Sequence, residues 1–261
     1  MTSEEIALEI ARIDLVIANR VLARIGAVDA FGHVSVRHPL DPKHFLLSCS
    51  RSPDLVDRDD LMEFDLEGRA VGLDNRPAYL ERFIHSAIYE ARPDVNAIVH
   101  GHARVLLPFS VTDLELRPLF LTAHEFGSRV PKWDIRDTFG DTDLHVANTE
   151  QGRDLAAAFR SEHNAVLLRG HGFVGAGRSV NQLIRLCNAL LDNARLQLEA
   201  SRFGAIKELT PGEIEARRRN LHDDESPSLI RAFEYEAIQA GQGEMFAERM
   251  RLKAQQQAAN N

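Results

Sequence analysis

Two apolar runs in this chain end in histidine and glycine. Ala97-Ile98-Val99 leads into His100-Gly101-His102, and Ala165-Val166-Leu167-Leu168 leads into Arg169-Gly170-His171-Gly172. Short apolar runs bounded by turn signals read as buried strands. Side chains at i and i+2 of an extended chain point to the same side, so His100 and His102 can reach one ion, and Gly101 removes bulk between them. Glycines on either side of His171 permit unusual backbone angles and close approach. Three neutral imidazoles with open positions would make a catalytic rather than a closed structural metal site. If the two strand ends do not meet, the same residues are ordinary loop histidines.

Around these strands the pattern alternates. Ile6, Ile10, Ile13, Ile17 and Val21 recur at helical spacing over residues 3–25, and Gly26 can end that helix. GHVSVRHP and HFLLSC follow as short strands with a turn at Asp41-Pro42, and LMEFDLEGRAVG reads as a hairpin with its tip at Glu67-Gly68. A helix is expected from about Pro77 to Ala91, burying Leu80, Ile84, Ala87, Ile88 and Ala91. Residues 104–150 read as irregular, 150–160 and 179–203 as helices, and the tail after Thr210-Pro211 as helical in pieces with a frayed end. Strands interleaved with helices predict an α/β sheet covered on both faces, and the early hairpins argue against an all-parallel one. The division read is a domain over 1–209 and a helical extension over 210–261.

Composition narrows the function classes. A formal net charge of -8 gives no basic surface for nucleic acid. The two cysteines, Cys49 and Cys187, fit no zinc-knuckle or redox spacing and imply no disulfide framework, which points to a cytoplasmic protein. The acidic, amphipathic N-terminus lacks the basic start and apolar run of a signal peptide. No apolar stretch approaches the roughly 18 residues that a membrane span needs.

Three segments, GHVSVRHP, ERFIHSAIYEARPDVNAIVHGHA and LLRGHGFVGAGRS, in this order and spacing, resemble the class II aldolase/adducin family over roughly residues 5 to 205. The resemblance implies a three-layer α/β/α fold with a mostly antiparallel central sheet, and a homotetramer with active sites near subunit interfaces. It implies one divalent metal ion per subunit on His100, His102 and His171, and an acidic catalytic residue at Glu81. The phosphosugar aldolases of that family carry a Ser-Ser pair where this chain has Tyr79-Leu80, Gly-Asn where it has Gly32-His33, and a phosphate turn where it has Ser50-Arg51-Ser52. Their proton-donating tyrosine falls on Thr122, with His124 close by. Without a phosphate cradle, the pattern DAFGHVSVRHP, with YLERFIH and RGHG, is closer to the decarboxylase branch. Its members act on hydroxylated aromatic or pyridine carboxylates, such as 3-hydroxy-2-methylpyridine-4,5-dicarboxylate or a dihydroxyphthalate. That resemblance leans toward manganese, the aldolases toward zinc, and iron is the third candidate.

On this reading a small substrate chelates the ion through its hydroxyl and ortho carboxylate. Glu81, its pKa raised by burial, protonates the ring carbon, with His33 and His124 as rival proton carriers. Arg51 is expected to hold a second carboxylate, flanked by Ser50 and Ser52, while Tyr79 lines the ring pocket. The alternatives are an aldolase, epimerase or dehydratase on a non-phosphorylated hydroxy-carbonyl compound, an iron oxygenase, and a non-catalytic interaction domain.

Overall fold

A computed structural model of the protein describes residues 1–159, 163–219 and 224–259. The first helix, α1 (Ser3–Arg24), opens on a reciprocal cap in which Thr2 Oγ1 accepts the Glu5 N–H and Glu5 accepts the Thr2 N–H. Its apolar stripe of Ile6, Ile10, Ile13, Ile17 and Val21 is buried, and Gly26, at φ +77°, turns the chain out of it. Seven strands follow: β1 (His33–Arg37), β2 (His44–Ser48), β3 (Leu61–Asp65), β4 (Ala97–Gly101), β5 (Lys132–Trp133), β6 (Ala165–Leu168) and β7 (Gly172–Gly177). They form one sheet in the order β3-β2-β1-β4-β7-β6-β5, antiparallel throughout except for the parallel pair β5–β6.

Strand residues alternate between two cores. Val34, Val36, Ala97, Val99 and Leu167 pack with α1 and with α6 (Val180–Ala200), whereas Phe45, Leu47, Ile98, Val166 and Val174 pack with α2 (Arg82–Ala91) and α5 (Thr149–Ala158). The result is a mostly antiparallel sheet between two helical layers, as the resemblance implies. The long stretch between β4 and α5 carries the short helices α3 (Leu107–Val111) and α4 (Arg136–Phe139), short 3-10 turns and strand β5. Three further helices, α7 (Pro211–Arg219), α8 (Pro227–Gln239) and α9 (Gly243–Ala259), complete the described chain, and Phe233, Phe246 and Leu252 join the core on the α1 side. No helix among the described residues is long and apolar enough to cross a membrane.

Three expectations need correction. The helix read from Pro77 begins only at Arg82, because the Pro77 carbonyl accepts the Ser50 N–H and the Tyr79 hydroxyl donates to the Arg51 carbonyl. Those contacts hold residues 77–81 against the preceding loop, and Leu80 stays half-exposed. The second arm of the hairpin shrinks to a single bridge, Phe64 to Ala70. The tail does not fray where expected: α9 runs through to Ala259, with Arg249 paired to Asp14 of α1. Residue 160, at the end of the helix read over 150–160, and residues 260–261 lie outside the described residues.

The crossing of the loop after α1 over the end of β4 is tight. A Cβ on Gly101 would lie 2.1 Å from the Ala27 carbonyl oxygen, and one on Gly172 would lie 2.3 Å from the Gly101 carbonyl oxygen. Both neighbours are backbone, which cannot swing aside as a flexible side chain can. Gly101→Ala should therefore destabilise the fold by about 2–3 kcal/mol, as overpacking does in a close-packed interior. Denaturant unfolding checks this, and an unchanged midpoint would show that the crossing can open at no cost.

Candidate metal centre

Sheet register brings the histidines together. His33 of β1 lies opposite His100 of β4, and Gly101 of β4 lies opposite Phe173 of β7, so the β6–β7 turn delivers His171 beside the end of β4. Ring centroids stand 4.9 Å apart for His100–His102, 4.9 Å for His100–His171 and 5.2 Å for His102–His171. Glu81, just ahead of α2, directs Oε2 to 3.4 Å from His100 Nε2 and 3.6 Å from His171 Nε2. One ligand atom from each of Glu81, His100, His102 and His171 lies within 4.8 Å of all the others.

Hydrogen bonds fix which nitrogens are free. His100 Nδ1 donates to the Phe173 carbonyl at 3.1 Å, which leaves the Nε2 lone pair facing the cluster. That Nε2 is buried without a hydrogen-bond partner. His102 Nδ1 donates to Asp29 Oδ1 at 2.9 Å, the carboxylate–histidine pairing that orients metal ligands. Asp29 is itself held by the N–H groups of Phe31 and Gly32. Burial works to raise its pKa, but the bonds from His102 and those N–H groups outweigh it and keep Asp29 ionised. Buried ring nitrogens without partners are costly, and a cation accepting their lone pairs removes that cost. The donor set therefore fits a divalent ion.

The charge state of Glu81 departs from expectation. Burial pushes its pKa up, yet the neighbouring His100 and His171 rings and the Val146 N–H at 3.0 Å together hold it below the usual carboxylate range. A bound cation would act in the same direction. Glu81 is thus a resting carboxylate, able to accept a proton or bind a cation, and not a stored acid. Burial, followed by the neighbouring His100, lowers His171 to about 4, so its ring is neutral at pH 7 as a ligand must be.

A cavity of about 480 Å³ opens beside the cluster. Glu81, His102 and His171 form its polar wall, with His33, Ser50 and His145, while Phe31, Tyr79 and Leu80 supply the apolar one. No lysine or arginine lines it among the described residues. Arg51 does not reach it, because its guanidinium binds Asp60 at 3.1 Å and the Leu55 carbonyl at 2.8 Å. Ser52 precedes a short helical turn outside the cavity wall. His124 lies elsewhere, with Nδ1 donating to the Leu121 carbonyl and Nε2 3.6 Å from Glu125. Two neighbours of the site were not singled out as site residues from the sequence. His145 sits in the irregular stretch, 5.9 Å from His171 between ring centroids and directly after Leu144 at φ +72°. Asp29 lies in the loop after α1, unremarkable until that loop meets His102.

Comparison with known proteins gives the family. The model of the Class II Aldolase and Adducin N-terminal domain matches residues 13–198. A decarboxylase of Talaromyces stipitatus, tropJ, is 34% identical over 189 residues, which are 68% of this chain and 71% of that protein. The 3,4-dihydroxyphthalate decarboxylase of Arthrobacter keyseri is 28% identical over 216 residues, 78% of this chain and 84% of the relative. Among solved structures, L-fuculose 1-phosphate aldolase from Glaciozyma antarctica superposes with a TM-score of 0.68 at 22% identity, covering 99% of this chain and 94% of that one, and so shares the fold. The chain belongs to the class II aldolase and adducin family, and its similarity to these decarboxylases sets it on their branch.

Proposed function

We propose that this protein is a divalent-metal-dependent decarboxylase of a hydroxylated aromatic or pyridine carboxylate. The observation that carries the reading is the cavity wall. Phe31, Tyr79 and Leu80 give the cavity an aromatic and apolar part beside the histidine cluster, and among the described residues no lysine or arginine lines it as a phosphate dianion would need. Such a wall suits a flat ring, and the cluster suits its oxygen substituents. Two relatives named as decarboxylases support the choice of reaction.

His100, His102 and His171 would hold the ion, with Glu81 beside it. When bound, the ion would act as a Lewis acid that withdraws electron density as the carboxylate carbon leaves. Glu81, resting as a carboxylate, takes the proton of the ortho hydroxyl and returns it to the ring carbon that has lost CO2. The pair of electrons from the broken carbon–carbon bond stays on the ring carbon and forms its new C–H bond. His33 borders the cavity and contacts substrate oxygen. Tyr79 and Phe31 confine the ring and exclude water. The same reading takes manganese or zinc as the ion, with ferrous iron third, and a cytoplasmic homotetramer of subunits with a 1–209 catalytic domain and a 210–261 extension. Arg51, Ser52 and His124 have no part in it within one chain.

Protein loaded with manganese or zinc should release CO2 from 2-hydroxylated aromatic carboxylates and not from the same acids lacking the hydroxyl. Aldehyde release without CO2 would favour an aldolase, and oxygen uptake dependent on ferrous iron an oxygenase; either overturns the reading. Glu81→Gln should keep the fold by circular dichroism and lower kcat by about 10²–10⁴, the usual worth of a positioned acid–base group. Near-normal turnover in that variant would remove Glu81 from the proton transfer.

A further inference from the structure

Beneath His33 lies a chain of polar groups that the reaction above does not use. Residues 33 and 35 of β1 point to one face of the sheet, and residues 85 and 89 are one turn apart on α2, which covers that face. His33 Nδ1 stands 2.6 Å from His85 Nε2, His85 Nδ1 stands 2.6 Å from Ser35 Oγ, and Ser35 Oγ stands 2.9 Å from the Tyr89 hydroxyl. All four residues are at most 1% exposed.

The protons in this chain follow the hydrogen of His85. If it sits on Nε2, it goes to His33 Nδ1, His85 Nδ1 accepts from Ser35 and Ser35 accepts from Tyr89, which leaves the hydrogen of His33 on Nε2. If it sits on Nδ1, it goes to Ser35 Oγ and His33 donates from Nδ1, so either the Ser35 or the Tyr89 O–H must find a different acceptor. Among the described residues these two hydroxyls have no hydrogen-bond neighbour besides each other and His85. The Arg37 guanidinium over the Tyr89 ring, 4.6 Å from its centroid, offers donors only. A buried donor left without an acceptor is costly enough to favour the first arrangement by roughly tenfold or more. Burial disfavours a positive charge on either ring, so each carries one N–H.

We propose that Tyr89, Ser35 and His85 are positioning residues that lock His33 in the tautomer bearing hydrogen on Nε2, giving the cavity a neutral hydrogen-bond donor for an oxygen of an anionic substrate. The carboxylate as the acceptor rests on the function proposed above; the lock itself does not. Among the described residues His33 Nε2 has no hydrogen-bond partner, and it is the nitrogen left for the cavity that the ring lines. In a cavity that no lysine or arginine among the described residues lines, a fixed N–H can hold a carboxylate without adding charge.

The test is the tautomer itself, read from the ring carbon and nitrogen shifts of zinc-loaded protein labelled with ¹³C,¹⁵N-histidine, with His33 identified by the signal lost in His33→Gln. Wild type should show the Nε2–H form of His33 in excess by about tenfold. The excess should persist in Tyr89→Phe, where the Ser35 hydrogen still has only His85 Nδ1 to accept it, and fall toward parity in Ser35→Ala, which cuts both hydroxyls from His85. A mixture or the Nδ1–H form in wild type, or a ratio unchanged in Ser35→Ala, would overturn the lock. Adding 2-hydroxybenzoate should move the His33 Nε2 signal. If the tautomer is as stated and that signal stays still, the lock stands and the carboxylate reading of the cavity fails.

Discussion

A slip of β4 by one residue against β1 would turn His100 into the opposite core and put Val99 in its place, because strand side chains alternate between faces. The site therefore depends on that register. It is held by apolar residues on both faces, Ala97 and Val99 toward α1 and α6, Ile98 toward α2 and α5. It is also held by backbone contact at the strand end, where Gly101 passes the Ala27 carbonyl and Gly172 passes Gly101. A side chain at Gly101 would push against the loop after α1, and one at Gly172 would push the β6–β7 turn, and His171 with it, away from the end of β4.

The same geometry loads the interior with polar rings. His33, His85 and His100 are all buried, and burial opposes charge on His33 and His85. Neutral rings then become directional parts, since each has one donor and one acceptor. The Phe173 carbonyl and Asp29 take the donors of His100 and His102, and the Tyr89–Ser35–His85 chain sets that of His33. Lone pairs are left toward the cluster and a hydrogen toward the cavity. Glu81 supplies the only carboxylate among the four grouped ligand residues, and its neighbours His100 and His171 and the Val146 N–H keep it ionised.

Much of this was legible in the sequence because it is local. Strand ends at His100 and His171, the helical stripe of α1 and the acidic position before His85 follow from spacing or resemblance. What failed depends on distant pairing. Arg51 looked available for a carboxylate, but Asp60, nine positions away, holds it. Pro77 to Leu80 had helical spacing, but bonds from Ser50 and to Arg51 hold that stretch to a loop. Burial of Glu81 was expected to raise its pKa, and the burial is real, but the surrounding donors and rings outweigh it. His145 and Asp29 could not be found from periodicity, since neither lies in a periodic element.

The central claim is that three imidazoles from two strand ends share one cation. X-ray absorption of the zinc-loaded protein tests it directly, because imidazole rings give a characteristic outer-shell scattering around the metal. The account predicts one zinc per chain with zinc–nitrogen distances of about 2.0–2.1 Å and scattering from three imidazoles, falling to two when His102 is replaced by alanine. A zinc shell without imidazole scattering, or one unchanged in that variant, would contradict it.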